Sequence, residues 1–360
     1  MSADPRDNVG TVPVRPELRF DEKALTQWLS GEIEGFRGPV KVEQFRGGQS
    51  NPTYALACPA GSFVLRRKPP GRLVPGAHAV EREARIMQAL APTAVPVPRI
   101  VAQCDDPQVI GTPFFVMERV EGRIFWDAAF RGVRREDRPA CFSAMLNVLT
   151  QLHRIDPPSV GLGDFGRPDR YLERQVLRWI RQYEDDCAEA GRDPDLDRLV
   201  EWLPGALPAP GATSLVHGDF RCDNMIFHPG RPRVIAVLDW ELSTLGDPLV
   251  DFANHAMMYR MPPHIAAGLA GEDLSASGLP SEKEYLGAYC RKMGLSGLEH
   301  YEFYMAFCLF RFAAAYHGIK ARLVRGTAVS PHARARAALV PELSGLAWSQ
   351  AKRVIEGCEL

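Results

Sequence analysis

Apolar positions over residues 20–120 change between helical and strand periodicity. From Phe20 to Phe36 the apolar residues recur at helical spacing, with Asp21 placed as an N-cap. A second helical stretch runs from His78 to Leu90. Short apolar runs bounded by turn residues predict strands at Val40–Phe45, Thr53–Ala57, Ser62–Lys68, Ile100–Cys104 and Phe114–Met117. Short strands around one helix indicate a small α+β lobe.

The pattern after Gly122 is mainly helical. Phe142, Met145, Leu149 and Leu152 repeat at helical spacing. Two short strands, predicted at Met225–His228 and Val234–Trp240, interrupt the helices, which resume at Pro248. We therefore expect an α+β fold of two lobes. A mobile extension over residues 1–19 precedes a strand-rich N-lobe over 20–120 and a larger, mainly helical C-lobe over 121–360.

Composition narrows the class of protein. The chain has 43 Lys+Arg against 44 Asp+Glu, a net charge of −1, which argues against nucleic-acid binding through bulk charge. None of the eight cysteines forms C-x-x-C or zinc-ligand spacing, so we interpret them as reduced thiols of a cytosolic protein. The first 19 residues lack the apolar core of a signal peptide, and the longest apolar run is too short to span a bilayer. We expect a soluble, cytoplasmic protein that binds neither nucleic acid nor membrane.

The segment His217–Asn224, followed by Leu238–Glu241, has side chains suited to phosphoryl transfer. The carboxylate of Asp219 can accept the proton of a substrate hydroxyl. The amide oxygen of Asn224 and the carboxylate of Asp239 are hard oxygen ligands for Mg²⁺, and they converge if the intervening hairpin folds back. The alternative is a polar loop with an ordinary N-cap aspartate. The pattern H-x-D-x-x-x-x-N, followed 20 residues after its Asp by a strand-terminal Asp, rarely arises by chance.

These motifs resemble those of the aminoglycoside phosphotransferase family, which shares the protein-kinase-like fold. HGDFRCDN is similar to the family's catalytic loop and LDWE to its magnesium-binding segment, within a likeness that extends over residues 30–325. LRRKPPG and VLDWELSTLGDPLVDFA more narrowly resemble kinase domains fused to acyl-CoA dehydrogenases. The resemblance implies an ATP- and Mg²⁺-dependent kinase of a small molecule. It also implies that Asp219 is the catalytic base and that Asn224 and Asp239 are the metal ligands.

A glycine-rich turn in the N-lobe is a candidate nucleotide-binding loop. Bare backbone in Gly47-Gly48-Gln49-Ser50-Asn51 can approach phosphate and donate N–H groups, although an ordinary hairpin turn is the alternative. By analogy with the kinase linker, backbone groups after the last strand of the lobe contact adenine. The predicted nucleotide contacts in these two segments are Gly47, Gly48, Ser50, Asn51, Glu118 and Val120.

A charged pair is predicted inside the same lobe. Strand periodicity places Val64, Arg66 and Lys68 on one face, where kinases have a phosphate-binding lysine paired with a helix glutamate. Glu83 lies near the middle of the apolar stripe of its helix, a costly position unless a cation meets the carboxylate. We predict that Arg66 pairs with Glu83 and holds phosphate, with Lys68 as the alternative. The competing interpretation is a solvated strand-end arginine and an edge glutamate.

The C-terminal segment indicates the charge of the acceptor. Residues 303–353 contain eight basic residues and one acidic residue. A polycationic aminoglycoside would favour carboxylates, whereas basic residues suit an anionic acceptor such as a hydroxy acid or a hydroxyacyl-CoA. Arg311, inside an apolar run, is the candidate acceptor-binding residue. Three alternatives remain: a solvated basic helix face, an aminoglycoside kinase, and a non-catalytic nucleotide-binding module, which the intact Asp219, Asn224 and Asp239 disfavour.

Overall fold

The computed structural model describes residues 10–46, 51–71, 78–328 and 332–357. The strands in these ranges are β1 Thr11–Val12, β2 Lys41–Phe45, β3 Thr53–Cys58, β4 Gly61–Arg67, β5 Ile100–Cys104, β6 Phe114–Glu118, β7 Ser214–Val216, β8 Met225–Phe227, β9 Val234–Val237 and β10 Thr244–Gly246. The α-helices are α1 Glu22–Glu32, α2 Val80–Leu90, α3 Pro107–Ile110, α4 Arg138–His153, α5 Tyr171–Ala190, α6 Pro194–Trp202, α7 Pro248–Ala256, α8 Leu274–Ser277, α9 Glu282–Met293, α10 Tyr301–Val324, α11 Ala333–Ala337 and α12 Val340–Ile355.

The chain divides into two units. The sheet unit comprises Ala3–Ile124 together with Asn224–Ser243, and the helical unit comprises Phe125–Asp223 and Thr244–Leu360 together with the first two residues. The first boundary lies close to the predicted division after residue 120. The hairpin of β8 and β9 differs from the prediction, because it groups with the sheet rather than with the helices. The backbone N–H of Arg123 donates to Phe227 O over 2.8 Å, and Val237 N donates to Pro96 O over 2.9 Å, so the hairpin bonds directly to that unit.

An antiparallel six-stranded sheet, in the order β1-β2-β3-β4-β6-β5, forms the framework of the sheet unit. Helix α1 covers it with the buried Leu25 and Leu29, which join a cluster that includes Tyr54 and Val116 of the strands. Asp21 caps α1 as predicted, because its carboxylate accepts hydrogen bonds from the second and third helical N–H groups. The helical periodicity therefore corresponds to a packed face.

Part of the predicted mobile extension is structured. Residues 1–9 lie outside the described ranges, but β1 pairs with β2 with Thr11 opposite Phe45. Leu18 is buried, and its carbonyl oxygen accepts hydrogen bonds from Tyr54 Oη at 2.9 Å and Arg67 Nη2 at 3.1 Å. The extension after residue 9 thus differs from the prediction, since distant side chains supply the hydrogen bonds that the local sequence does not.

Helix α10 organises the helical unit. It packs against α5, α7, α11 and α12, and its first ten residues are all buried. Buried charge is paired there: Glu302 accepts from Arg260 and Arg353, and Arg260 also donates to Glu282. A helix that is apolar around most of its circumference is expected at such a central position. Within the described ranges, no helix is both long and hydrophobic enough to cross a bilayer.

Candidate active site

The β8–β9 hairpin brings the two predicted metal ligands to one end. Met225 lies opposite Val237, and the next backbone bond, from Leu238 N to Asn224 O, is 2.8 Å long. Asn224 and Asp239 therefore flank the same end of the hairpin, as the sequence motif requires. Both side chains are partly exposed. Their role as metal ligands stays a prediction.

Asp239 has a backbone conformation that few non-glycine residues adopt. Its φ is 64° and its ψ is 58°, in the left-handed helical region, directly before a 3₁₀ turn at Trp240–Leu242. Aspartate tolerates this region better than most residues, yet it carries a local energetic cost that surrounding structure must offset. Trp240 supplies part of that support, because its buried indole Nε1 donates to Val237 O over 2.9 Å.

Arg66 lies among three carboxylates of the sheet unit. Its Nε is 2.7 Å from Glu83 Oε2, and its Nη2 is 2.6 Å from Asp239 Oδ1 and 3.6 Å from Glu241 Oε2. The predicted contact between Arg66 and Glu83 is therefore present, as an ion pair whose N–H is not aligned for a hydrogen bond. The alternative contact, Lys68, instead pairs with Glu81 at 2.9 Å.

Burial makes the negative charge of this cluster expensive. Glu83 is 2% exposed. Burial raises the pKa of its carboxyl above the ordinary value, Asp239 and Glu241 act in the same direction, and Arg66 opposes them. A divalent cation near Asp239 would act on this pKa in the same direction as Arg66. The solvated interpretation of Arg66 and Glu83 is wrong.

The donor set of the hairpin fits magnesium. Mg²⁺ prefers oxygen ligands, and it usually keeps several waters and binds one or two protein carboxylates together with substrate phosphates. Asn224 and Asp239 offer such oxygens. Among the described residues, no group of three or more histidine, cysteine, aspartate or glutamate side chains is arranged to hold a metal by itself. Where Mg²⁺ binds with few protein ligands, phosphate and water complete its coordination.

The structure describes only some of the other predicted nucleotide contacts. Gly47, Gly48 and Ser50 lie outside the described residues. Asn51 is fully buried; its Nδ2 donates to Glu241 Oε2 over 3.3 Å, and its Oδ1 lies 3.1 Å from His78 Nδ1. Glu118 ends β6, where its backbone N–H donates to Arg99 O over 2.9 Å. Val120 follows in an irregular segment. Their contact with a nucleotide stays a prediction.

In the helical unit, a buried carboxylate holds the backbone of the predicted catalytic loop. Asp251 Oδ2 accepts from His217 N at 2.7 Å, and Asp251 Oδ1 accepts from Gly218 N at 2.8 Å. Gly218 has a φ of +85°, which an L side chain rarely adopts, so glycine is required at this turn. Asp219 N in turn donates to His217 Nδ1 over 3.2 Å, so that nitrogen carries no proton. Three consecutive N–H groups of the loop are thus fixed.

The Asp219 carboxylate itself is about one-third exposed, with a side-chain exposure of 34%. Arg221 Nε lies 3.7 Å from Asp219 Oδ1, and Arg221 also forms a two-point contact with Asp223. A rigid backbone and an accessible carboxylate are what a general base needs, because the group must meet a substrate proton in a fixed direction. The assignment of Asp219 as the base stays a prediction.

Two buried histidines form a layer beneath the loop. His153 Nε2 lies 3.3 Å from Asp251 Oδ2, and His153 Nδ1 lies 2.9 Å from Tyr289 Oη. Burial alone would raise the pKa of Asp251, but the bonds from His153 and from the loop hold it below the ordinary value. His255 Nδ1 lies 2.9 Å from Phe220 O, a pure acceptor, so the proton of neutral His255 is on Nδ1. Burial lowers the pKa of His255 to about 4.

The charges of the basic C-terminal segment are distributed among several partners. Arg325 pairs with Asp186 at 2.9 Å, and Arg353 lies 3.3 Å from Glu302. Arg311 Nη2 donates to Gly218 O over 3.0 Å and to Asn254 Oδ1 over 2.5 Å. Burial raises the pKa of Tyr316, and the positive charges of Arg336 and Arg221 oppose that rise.

Comparison with known proteins decides the family. The model of the Phosphotransferase enzyme family matches residues 41–285, more than half of the chain. The chain belongs to this family. The predicted enzyme class, a phosphotransferase, is confirmed, and so is the predicted resemblance. "Acyl-CoA dehydrogenase family member 10" of Mus musculus is 42% identical over 346 residues, which are 95% of this chain and 32% of that protein. The chain thus spans about a third of that relative's length.

Solved structures support the same family and the kinase-like fold. A protein provisionally named an aminoglycoside phosphotransferase, from Ralstonia eutropha JMP134, is 43% identical with a TM-score of 0.84, covering 93% of this chain and 99% of the other. A thermostable mutant of the aminoglycoside phosphotransferase APH(4)-Ia, in a ternary complex with ADP and hygromycin B, has a TM-score of 0.55 at 14% identity, covering 91% and 98%. The second likeness shows the fold of a phosphotransferase and no more.

Several residues at the phosphotransferase motifs were not found by sequence reasoning. They are His78, Asn254 and His255; His217 and Glu241 lie in the predicted motif segments but had no predicted role. A signal for two of them exists in α7, where Asp247, Asp251, Asn254 and His255 form a polar stripe at helical spacing within an otherwise apolar helix. Glu241, two residues after Asp239, had no periodicity to mark it.

Proposed function

We propose that this chain is an ATP- and Mg²⁺-dependent kinase that phosphorylates a hydroxyl group of a small anionic molecule. One observation carries the proposal. Asn224 and Asp239 flank one end of a hairpin, and the only guanidinium within 4 Å of Asp239 in the described residues, that of Arg66, is also paired with the buried Glu83. That combination of oxygen donors and a fixed cation suits a metal-bound polyphosphate.

Each predicted site residue would have a separate role in phosphoryl transfer. Asp219 would take the proton of the acceptor hydroxyl, and Asp251 would keep the backbone of Asp219 in place. Asn224 and Asp239 would hold Mg²⁺, which when bound neutralises charge on the transferring phosphoryl group. Arg66, oriented by Glu83, would donate to phosphate oxygens through a planar group suited to two-point contact.

Basic residues of the helical unit support an anionic acceptor. Arg221 lies 3.7 Å from Asp219, and its charge and that of Arg336 both reach Tyr316. Arg221 is itself paired with Asp223, as Arg325 and Arg353 are with other carboxylates, so the support for an anionic acceptor comes from the added charge of Arg336. An anionic substrate would be attracted to such a region and a polycation repelled.

The names of relatives supply a narrower suggestion within that class. The segment of the mouse protein similar to this chain belongs to a protein named for acyl-CoA dehydrogenation. This supports a coenzyme A thioester bearing a hydroxyl group as the acceptor, next to a free hydroxy acid. The dehydrogenase activity itself is not proposed for this chain, which spans 32% of that relative.

The proposal is tested by ADP release in the presence of Mg-ATP and one acceptor at a time. The acceptors are hydroxyacyl-CoAs, free hydroxy acids, aminoglycosides and choline-like alcohols. We expect turnover with an anionic compound, and we expect Asp219→Asn to reduce kcat at least about 100-fold with ATP affinity nearly unchanged, because the amide cannot take the proton. Turnover with aminoglycosides alone would identify an antibiotic kinase, and ATP binding without any turnover would identify a non-catalytic module.

A further inference from the structure

Arg311 is the charged residue of an otherwise apolar stretch of α10. The ten residues before it are buried, and Arg311 is itself partly buried. Its described hydrogen bonds go to two neutral oxygens, Gly218 O at 3.0 Å and Asn254 Oδ1 at 2.5 Å. A guanidinium that donates to neutral oxygens at this depth has its direction fixed, because each bond is charge-assisted.

The first of these oxygens belongs to the peptide that carries Asp219. The peptide between Gly218 and Asp219 is planar, so its C=O and N–H move together. Arg311 binds the C=O, and His217 Nδ1 accepts from the N–H over 3.2 Å. Both polar ends of one peptide plane are therefore held, so the direction in which the Asp219 side chain leaves the backbone can change only by rotation about its own N–Cα bond.

Arg311 also complements Asp251. The carboxylate of Asp251 binds the N–H groups of His217 and Gly218 but offers nothing to a carbonyl oxygen, since it can only accept. The Gly218 carbonyl needs a donor, and Arg311 supplies it from α10. Asn254, one turn after Asp251 on α7 and 4% exposed, orients the same Nη2. Helix α7 thus holds the N–H groups of this loop through Asp251, and α10 holds its Gly218 carbonyl through Arg311.

We infer, on the basis of the proposed function, that Arg311 is a positioning residue that acts through the Gly218–Asp219 peptide to aim the Asp219 carboxylate. This role differs from the acceptor-binding role predicted from sequence. It makes a different kinetic prediction, because a misaligned base slows the chemical step, whereas a lost acceptor contact weakens binding.

The test compares Arg311→Met, Arg311→Lys, Asp219→Asn and the double variant Arg311→Met/Asp219→Asn under steady-state conditions, with the acceptor found by ADP release. We expect Arg311→Met to lower kcat about 10- to 100-fold, the effect of one lost charge-assisted hydrogen bond, with both KM values within about 2-fold of wild type. Lysine should recover part of kcat, because its ammonium keeps the charge but ends at a different position from Arg311 Nη2. Arg178→Met, at an exposed position of α5, is the matched control.

The double variant separates positioning from other roles. If Arg311 acts through Asp219, Arg311→Met should cost less than about 3-fold in the Asp219→Asn background. An equal loss in both backgrounds, or a raised acceptor KM with unchanged kcat, overturns the inference. If Arg311→Met does not fold, Arg311→Lys decides by the same comparison of kcat and KM, and wild-type kinetics for it would also overturn the inference. Normal turnover in Asp219→Asn instead refutes the proposed function.

Discussion

Replacing Asp251 with asparagine should destabilise the protein strongly, although the two side chains have nearly the same size and shape. The carboxylate has one oxygen directed at His217 N and His153 Nε2 and the other at Gly218 N. Asparagine keeps one acceptor oxygen and replaces the other with a donor NH₂. Whichever way the amide turns, an N–H of the loop meets another donor in a buried site.

The expected loss of unfolding free energy follows from the hydrogen bonds that Asp251→Asn removes. One charge-assisted bond is lost, about 1.5–3 kcal/mol, and one buried N–H is left without an acceptor, about 1–3 kcal/mol. The variant should therefore lose about 3–5 kcal/mol of unfolding free energy, a large part of the stability of an ordinary domain.

Asp247→Asn on the same helix is the matched control. Asp247 Oδ1 accepts from Leu249 N at 2.8 Å, and Oδ2 accepts from Tyr304 Oη at 3.0 Å. Asparagine can keep the first bond and donate to the tyrosine oxygen, which also accepts. Asparagine is as good an N-cap as aspartate, so the cost should stay below about 1 kcal/mol.

Urea unfolding at neutral pH measures both variants against wild type, with the slope on denaturant checked for constancy. We expect the Asp251 variant to lose several times more free energy than the Asp247 variant. Equal losses would refute the reasoning, since they would mean that the loop N–H groups do not depend on the second acceptor oxygen of Asp251.

Three further predictions concern metal binding, pH and packing. Asp239→Ala should abolish the Mg²⁺-dependent rise in Tm caused by AMP-PNP, whereas Asp105→Ala, at an exposed position, should keep it. A retained rise in Asp239→Ala contradicts the metal site. The pKa of His255 is lowered from 6.5 to about 4, so between these pH values the unfolded chain binds a proton that the folded chain does not. The free energy of unfolding should therefore be full above pH 6.5 and about 3 kcal/mol lower at pH 4. In urea unfolding His255→Gln should reduce this dependence of stability on pH, and an unchanged dependence excludes His255 as its source. A Cβ at Gly122 would lie 2.3 Å from Phe227 O, so Gly122→Ala should cost about 1–3 kcal/mol, while Gly132→Ala, with nothing within 4 Å, should cost little; similar melting temperatures would contradict this.

The local sequence determined the elements and the motif residues of this phosphotransferase. Periodicity placed α1 with its cap at Asp21, set β5 at Ile100–Cys104, and put Glu83 on the buried face of α2. These features depend on neighbours within one or two helical turns or along one strand, so a short window of sequence contains their cause. The contact between Arg66 and Glu83 was also predictable, because a buried carboxylate needs a cation nearby.

Only the tertiary structure decided which distant groups meet. Arg66 contacts Asp239 across 173 positions of sequence, and Arg311 contacts Gly218 across 93. The sequence supplied the charge of Arg311 and Arg325, but not that one binds a carbonyl oxygen and the other a buried aspartate. Such partners are chosen by the way strands pair and helices pack, and every long-range contact depends on all of that packing at once. A residue's own neighbours in sequence therefore predict its burial and its local cap bonds, but not the atom it binds in a distant element.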